Sequence, residues 1–163
     1  MIFIALGTQK FQLNRLLLEV DNLIEEGIIE EPVFAQRGYS TYIPRNFETD
    51  SLMSQKKFDR LVNECDMLIT HCGVGTILIG VNLKKHIIVY PRLAKYGEHV
   101  DDHQVEIAEA FESMGIVTYC REHDSLEEKI KEAYTVTPAS FQSNKKEHLR
   151  VIREFIEKEL KKK

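Results

Sequence analysis

The chain has 163 residues, 43% of them hydrophobic and 29% charged, so we expect a folded domain with a sizeable core rather than a disordered segment. A formal net charge of −4 argues against a protein that binds nucleic acid through bulk electrostatics. Three cysteines without paired spacing and an amino terminus without a basic segment indicate a cytoplasmic protein with reduced thiols, and no apolar run reaches the ~18 residues of a transmembrane helix.

The first half of the chain predicts alternating strands and helices. Residues 2–6 form a continuous apolar run, which is typical of a parallel strand buried on both faces. Apolar residues then recur at helical spacing from Phe11 to Ile24, and Gly27 marks the expected end of this helix. The following predicted elements are a strand at 32–36, a loop at 37–46, a strand at 47–50 and a helix at 54–65.

The second half continues the alternation and ends in helices. Ser125, followed three residues later by Glu128, matches a capping box at a helix start. The predicted elements are a strand at 67–70, a turn at 71–76, a helix at 76–83, a strand at 87–90, a loop at 92–100, a helix ending near Gly115, a strand at 116–120 and helices at 125–134 and 143–160. We therefore predict an α/β fold in a single domain, 1–163, whose segment 142–163 is a carboxyl-terminal helix.

The glycine-rich turn at residues 71–76 has the features of an anion site. A strand that turns tightly into a helix exposes backbone N–H groups where negative charge is favoured. Gly73 and Gly75 let the backbone approach such an anion without a Cβ between them. A phosphate or diphosphate is the simplest ligand, and a tight turn without a ligand is the alternative. The spacing fits neither the dinucleotide fingerprint nor a P-loop, which needs Lys where Val81 stands.

A second small polar loop, residues 7–9, follows the first predicted strand. Ligands of open parallel sheets bind beyond the carboxyl ends of the strands, so this loop and residues 71–76 are expected to face one crevice. The alternative role for Thr8 is that of a helix N-cap.

A polar cluster at residues 98–104 follows the strand at 87–90 and is expected at the same sheet edge. Its acids, histidines and amide could hydrogen-bond a sugar or a ribose. One alternative is a solvated, acid-rich helix start. Another is a metal face, since His99 and His103 are four residues apart, but the sequence fixes no third ligand and we expect no metal.

The motifs ALGTQ, ITHCGVGTI, IIVYPR and GEHVDDHQVEIA, in this order, resemble the small catalytic subunit of the two-part glycosyltransferases of family 28. Bacterial members act in capsule and exopolysaccharide assembly, and a eukaryotic relative forms dolichol-linked chitobiose. The resemblance covers about residues 1–134. It implies a Rossmann-like parallel sheet with helices on both faces, which is the UDP-sugar-binding half of a GT-B enzyme. It also implies a membrane-associated partner subunit that supplies the acceptor site.

The resemblance also implies roles for individual residues. The first loop, the diphosphate turn and the sugar-facing segment correspond to Gly7, Thr8, Gln9, His71, Gly73, Val74, Gly75, Thr76, Glu98, Asp102, His103 and Gln104. Arg92 is a candidate charge partner of the diphosphate, with a surface arginine as the alternative. Relatives often hold the ribose with a glutamate in the following helix, where this chain has Ile79.

The expected reaction is inverting transfer of a sugar from a UDP-sugar to a lipid-diphosphate-linked acceptor. It needs no cofactor besides the donor and takes place at the inner face of the membrane, where the partner recruits the chain. The general base is unassigned, and His99 is a candidate within this chain. The last helix could dock the partner or pack on its own domain.

Two other functions fit parts of the sequence. A non-catalytic nucleotide-sugar-binding or assembly module would keep the phosphate turn without the chemistry. A complete small α/β hydrolase is disfavoured because no G-x-S-x-G motif occurs.

Overall fold

The computed structural model describes residues 1–140 and 145–161, whose strands form one parallel six-stranded sheet. The strands are β1 (Ile2–Ala5), β2 (Val33–Gln36), β3 (Glu48–Asp50), β4 (Met67–Thr70), β5 (His86–Val89) and β6 (Thr118–Tyr119). Their spatial order is β3-β2-β1-β4-β5-β6. The chain first builds the sheet in one direction from β1 and then returns to build in the other, as in doubly wound Rossmann folds. The predicted Rossmann-like parallel sheet is confirmed.

Helices cover both faces of this sheet. They are α1 (Asn14–Glu25), α2 (Gln55–Glu64), α3 (Val74–Asn82), α4 (His103–Ser113), α5 (Leu126–Thr135) and α6 (Lys145–Lys161), with a short 3₁₀ helix at Ala94–Tyr96. The helices α1 and α5 pack on one face, where Ile4 belongs to the same apolar cluster as Leu17 and Ile130. The opposite face packs against α2, α3 and α4, with Phe3 turned towards α2.

The central strands explain why the sequence shows continuous apolar runs. Every side chain of β1 and β4 is buried, because successive residues point to opposite faces and both faces carry helices. The strand ends lie level with one another, since Ala5 pairs with Gln36 on one side and with Thr70 on the other, and Thr70 pairs with Val89. The loops that follow these strands therefore open at the same edge of the sheet.

Three boundaries differ from the predicted ones. The N-cap role for Thr8 is wrong, since α1 begins at Asn14 after Leu13, and the intervening segment is held by a buried arginine described below. Helix α3 begins at Val74, two residues earlier than predicted, because Gly73 takes the extended backbone of an N-cap. Helix α4 begins at His103, so the end of the polar cluster is helical.

The predicted cap of α5 is confirmed. The Ser125 hydroxyl accepts a hydrogen bond from the backbone N–H of Glu128 at 3.3 Å, as expected at an N-cap. Gly27 takes a left-handed conformation with φ of 71° just after α1, which matches its predicted role as a helix stop.

Helix α6 packs on its own domain along one side only. Ile152 is buried, and Phe155 packs beside it near α4, whereas Leu149, Ile156 and Leu160 are exposed. The predicted start of this helix at residues 143–144 lies outside the described residues, and the single-domain boundary 1–163 stays a prediction. Within the described residues, none of the helices combines the length and the apolar character that crossing a membrane requires.

Candidate functional site

A crevice of about 450 Å³ opens at the carboxyl edge of the sheet, where β1, β4 and β5 end. Three segments line it, namely Gly7, Thr8, Gln9 and Phe11; His71, Gly73, Val74, Gly75 and Thr76; and His99, Val100, Asp101, His103 and Gln104. The loops predicted to meet at this edge do meet there. Of the predicted site residues, Arg92, Glu98 and Asp102 do not line the crevice.

The start of α3 presents unpaired backbone donors to this crevice. Gly73 at the N-cap has no side chain to cap the helix, and the first intrahelical hydrogen bond runs from the N–H of Ile77 to the Gly73 carbonyl at 3.1 Å. Helix geometry leaves the N–H groups of Val74, Gly75 and Thr76 without intrahelical acceptors. Three convergent N–H groups at the positive end of a helix dipole can bind a diphosphate.

His71 lies between the glycine loops and is buried. A Cβ built on Gly7 would come within 2.7 Å of the His71 Nε2, and one built on Gly73 would come within 2.9 Å of the same ring atom. Both positions are therefore glycine because the imidazole fills the space beside them. Burial, followed by the positive charge of Arg92, lowers the pKa of His71 to about 3, so the ring is neutral at physiological pH.

This buried neutral histidine predicts a specific loss of stability in acid. The unfolded chain binds a proton at His71 below about pH 6.5 and the folded chain does not, so the free energy of unfolding falls as the pH falls. Between about pH 6.5 and about pH 5 the wild type should lose about 2 kcal/mol more than His71→Asn does. Urea unfolding of both proteins across this range measures the difference, and parallel curves would contradict it.

Arg92 is fully buried behind the crevice wall, so the alternative of a surface arginine is wrong. Its Nη2 donates to the carbonyl oxygens of Leu6 at 2.8 Å and Phe11 at 3.1 Å. Its Nε donates to the carbonyl oxygen of Gln12 at 3.4 Å. Its Nη1 is buried and has no hydrogen-bond partner among the described residues. Burial lowers the pKa of Arg92 to about 10, which leaves it charged at neutral pH.

Glu98 and Asp102 hold the segment that follows β5. The buried Glu98 carboxylate accepts from Arg15 Nε at 2.7 Å and Nη2 at 3.0 Å, and from the N–H of Leu93 at 2.8 Å. Asp102 accepts from the N–H of Ala94 at 2.8 Å. Neither carboxylate lies in the crevice. Their hydrogen bonds hold residues 93–102 in a conformation in which the neighbouring His99 and His103 line the crevice.

The wall opposite α3 carries two histidines, each close to a carboxylate. His99 Nδ1 lies 3.3 Å from Asp101 Oδ1, and its ring packs against Phe11 with centroids 4.7 Å apart. His103 Nδ1 lies 3.3 Å from Glu106, and its buried Nε2 has no hydrogen-bond partner in the part of the chain that is described. Across residues 1–140 and 145–161, no three His, Cys, Asp or Glu side chains are grouped to hold a metal ion.

Two lining residues, Phe11 and Val100, were not predicted from the sequence. Phe11 was assigned to the apolar stripe of α1, but it precedes the helix and faces the crevice. Val100 lies inside the polar cluster, between His99 and Asp101, and this position was the signal that could have identified it. Ile79, where relatives often carry a glutamate, packs into the apolar cluster beside α2.

Comparisons with known proteins agree with this architecture. The model of the glycosyltransferase family 28 C-terminal domain matches residues 1–160. Among solved structures, the glycotransferase of kitacinnamycin superposes with a TM-score of 0.59 at 17% identity, over 82% of this chain and 33% of that one. The calicheamicin glycosyltransferase CalG4 gives 0.57 at 16% identity, over 94% and 38% of the two chains.

Acinetobacter baumannii MurG gives a TM-score of 0.53 at 19% identity, over 82% of this chain and 40% of that one. The sheet and its flanking helices are those of the C-terminal domain of GT-B glycosyltransferases. The chain corresponds to less than half the length of each of these three structures. A search of curated proteins found no match to this sequence.

Proposed function

This chain belongs to the family defined by the glycosyltransferase family 28 C-terminal domain, and from that premise we propose that it is the donor-binding half of a UDP-sugar-dependent glycosyltransferase. The observation that carries the proposal is the uncapped start of α3, which opens into a crevice lined by Gly7, His71 and Gly75. This arrangement suits a ligand with two adjacent phosphates, because it offers several neutral donors and no carboxylate on that wall.

In the proposed reaction, the acceptor hydroxyl attacks the anomeric carbon of the donor sugar and the bond to the diphosphate breaks. The N–H groups of residues 74–76 and the dipole of α3 stabilise the negative charge that develops on the leaving UDP. His71 supplies a further hydrogen bond from its uncharged ring. These donors can carry the charge of the diphosphate, so the proposal includes no metal ion and no cofactor besides the donor.

The sugar is proposed to lie towards the wall formed by His99 and His103. His99 is the candidate general base within this chain because its ring lines the crevice. The backbone N–H of Asp101 lies 3.4 Å from His99 Nδ1, so this nitrogen accepts a hydrogen bond. This contact with Asp101 and the packing on Phe11 orient the ring at the crevice. A single displacement of this kind inverts the configuration at the anomeric carbon.

A partner subunit is proposed because the chain resembles the small subunit of the two-part glycosyltransferases of family 28. It covers 33% to 40% of the lengths of its solved relatives, and closing a GT-B crevice requires a second domain. Following the resemblance, we assign that role to a membrane-associated subunit that binds a lipid-diphosphate-linked acceptor in exopolysaccharide or capsule assembly. The chain would then act at the cytoplasmic face of the membrane, and the exposed Leu149, Ile156 and Leu160 are candidate contacts.

A non-catalytic nucleotide-sugar-binding module is the second candidate function. It is favoured by one observation, namely that Ile79 packs against the core and offers no carboxylate to a ribose. Release of UDP from a UDP-sugar in the presence of the partner and a lipid-linked acceptor would exclude this candidate.

Calorimetric titration of the chain with UDP tests the proposal, with ADP and NAD as controls. We expect selective binding of UDP, since the resemblance to the two-part glycosyltransferases of family 28 implies a UDP-sugar donor. Equal binding of ADP would contradict the proposed donor, and no binding of any nucleotide, either alone or with the partner subunit, would contradict the donor-binding role.

A further inference from the structure

The side-chain amide of Gln104 is held in one orientation by a backbone donor. The N–H of Arg92 lies 3.0 Å from Gln104 Oε1, and an N–H can only donate, so this atom of the amide is the oxygen. The other end of the amide is therefore the NH₂ group. It lies 3.1 Å from Nδ1 of His71. Gln104 itself is almost completely buried, so water does not compete for these contacts.

The orientation of this amide determines the tautomer of His71. The NH₂ group of Gln104 can only donate, so Nδ1 of the ring must accept and carries no proton. A neutral imidazole holds its single proton on the other nitrogen, which is Nε2. The ring is neutral because it is buried and lies near the charged Arg92. The backbone N–H of Arg92 therefore donates to the Gln104 amide oxygen, and the Gln104 NH₂ group donates to His71 Nδ1.

The protonated nitrogen of His71 faces the crevice between the two glycine loops. A Cβ added to Gly7 would have Nε2 as its nearest ring atom, at 2.7 Å. A Cβ added to Gly73 would lie 2.9 Å from both Nε2 and Cε1. Nε2 has no hydrogen-bond acceptor among the described residues, although the start of α3 lies beside it. The His71 Nε2–H is therefore free to donate a hydrogen bond to an anionic ligand bound at the start of α3.

We propose that Gln104 is a positioning residue that holds His71 as the Nε2-protonated tautomer, so that this nitrogen donates to the diphosphate. This inference rests on the proposed function for the identity of the ligand. It also gives Gln104 a different role from the contact with sugar hydroxyls that the sequence suggested, since both ends of its amide are engaged within the protein. Without the amide, either ring nitrogen could carry the proton, and the Nδ1-protonated form would turn a lone pair towards the phosphates.

The substitution Gln104→Glu provides a sharp test because it keeps the shape of the side chain. One carboxylate oxygen can still accept from the N–H of Arg92, but the other now accepts from the ring and draws the His71 proton to Nδ1. The Nε2 lone pair then faces the diphosphate until a second proton binds. The charged and titratable groups acting on His71 would be the new carboxylate, Arg92 and His99.

Two measurements follow from this design. Nitrogen-15 NMR of the imidazoles, with His71→Asn used for assignment, should show His71 protonated at Nε2 in the wild type and at Nδ1 in Gln104→Glu. Gln104→Glu should bind UDP about tenfold more weakly than the wild type at about pH 8, and this ratio should shrink as the pH falls to about 6; the ionisation of UDP itself affects both proteins alike and cancels in the ratio. A structural defect would lower the affinity equally at every pH.

The matched control is Gln55→Glu, which adds the same charge at the exposed start of α2 and should change neither measurement. Gln104→Met, which removes the donor without adding charge, should give a mixture of both tautomers. A wild-type ring protonated at Nδ1, or an unchanged tautomer in both Gln104 variants, would overturn the inference. The NMR result needs no ligand, so wild-type protein with the expected tautomer but no UDP binding would overturn the proposed function instead.

Discussion

Replacing Arg92 with methionine is expected to lower the free energy of unfolding by about 3 kcal/mol. The guanidinium is fully buried and donates to the carbonyl oxygens of Leu6 and Phe11, and methionine would leave both oxygens buried without a donor. Each unsatisfied buried group costs about 1 to 3 kcal/mol, which the removal of an isolated buried charge only partly offsets. Urea unfolding followed by circular dichroism measures the change.

The control for this experiment is Arg153→Met, which changes an exposed arginine of α6 and should alter stability by less than about 0.5 kcal/mol. Arg92→Met should also weaken UDP binding, because residues 7–12 lose the cation that holds them against the crevice wall. A loss of stability below about 1 kcal/mol would show that the carbonyls find other donors, and that the arginine does not hold the loop.

Alanine substitutions at Gly7 and Gly75 are expected to separate folding from ligand binding. Gly7 has φ of 72°, and a Cβ there would meet His71 Nε2 at 2.7 Å, so Gly7→Ala should lose about 2 kcal/mol of stability and most of its affinity for UDP. Gly75 has open space around it and lies in the first turn of α3, where alanine favours the helix by up to about 1 kcal/mol. Gly75→Ala should therefore be as stable as the wild type or more stable.

The two variants should nevertheless both bind UDP poorly. The added methyl group of Gly75→Ala points into space that is free in the protein alone, so any loss of affinity reports that the ligand occupies it; we expect a loss of about tenfold or more. Gly27→Ala is the matched control, because Gly27 has φ of 71° with nothing near its Cβ and lies far from the crevice. It should lose stability and bind UDP normally. Normal UDP binding by Gly75→Ala would place the diphosphate elsewhere.

The fold could be predicted well because its signals are local. Strands buried on both faces, such as β1 and β4, appear as apolar runs, and the Ser125 cap is visible within four residues. Because parallel strands end at the same edge of a sheet, the loops after β1, β4 and β5 were correctly predicted to lie together. The family resemblance added the identity of the fold, and the match over residues 1–160 agrees with it.

The parts that could not be predicted depend on contacts between distant segments. Arginine and glutamate are normally exposed, so nothing in the sequence near Arg92 or Glu98 indicates that each is buried with a partner from a distant segment of the chain. The amide of Gln104 likewise bonds to residues of two other segments, which fixes its orientation only in the folded protein. The start of α3 was placed too late because Val74 and Gly75 are both weak helix formers.

The contacts of Arg92 tie together the three loops that border the crevice. Its side chain joins the loop after β5 to the loop after β1, and through Gln104 its backbone reaches the loop after β4, so a shift of one loop would strain hydrogen bonds to the other two. The segment from His99 to Asp101 contacts the loop after β1 through the packing of His99 on Phe11, and Glu98 and Asp102 hold its two ends. We therefore expect a substitution at Arg92 to disturb all the walls of the crevice at once.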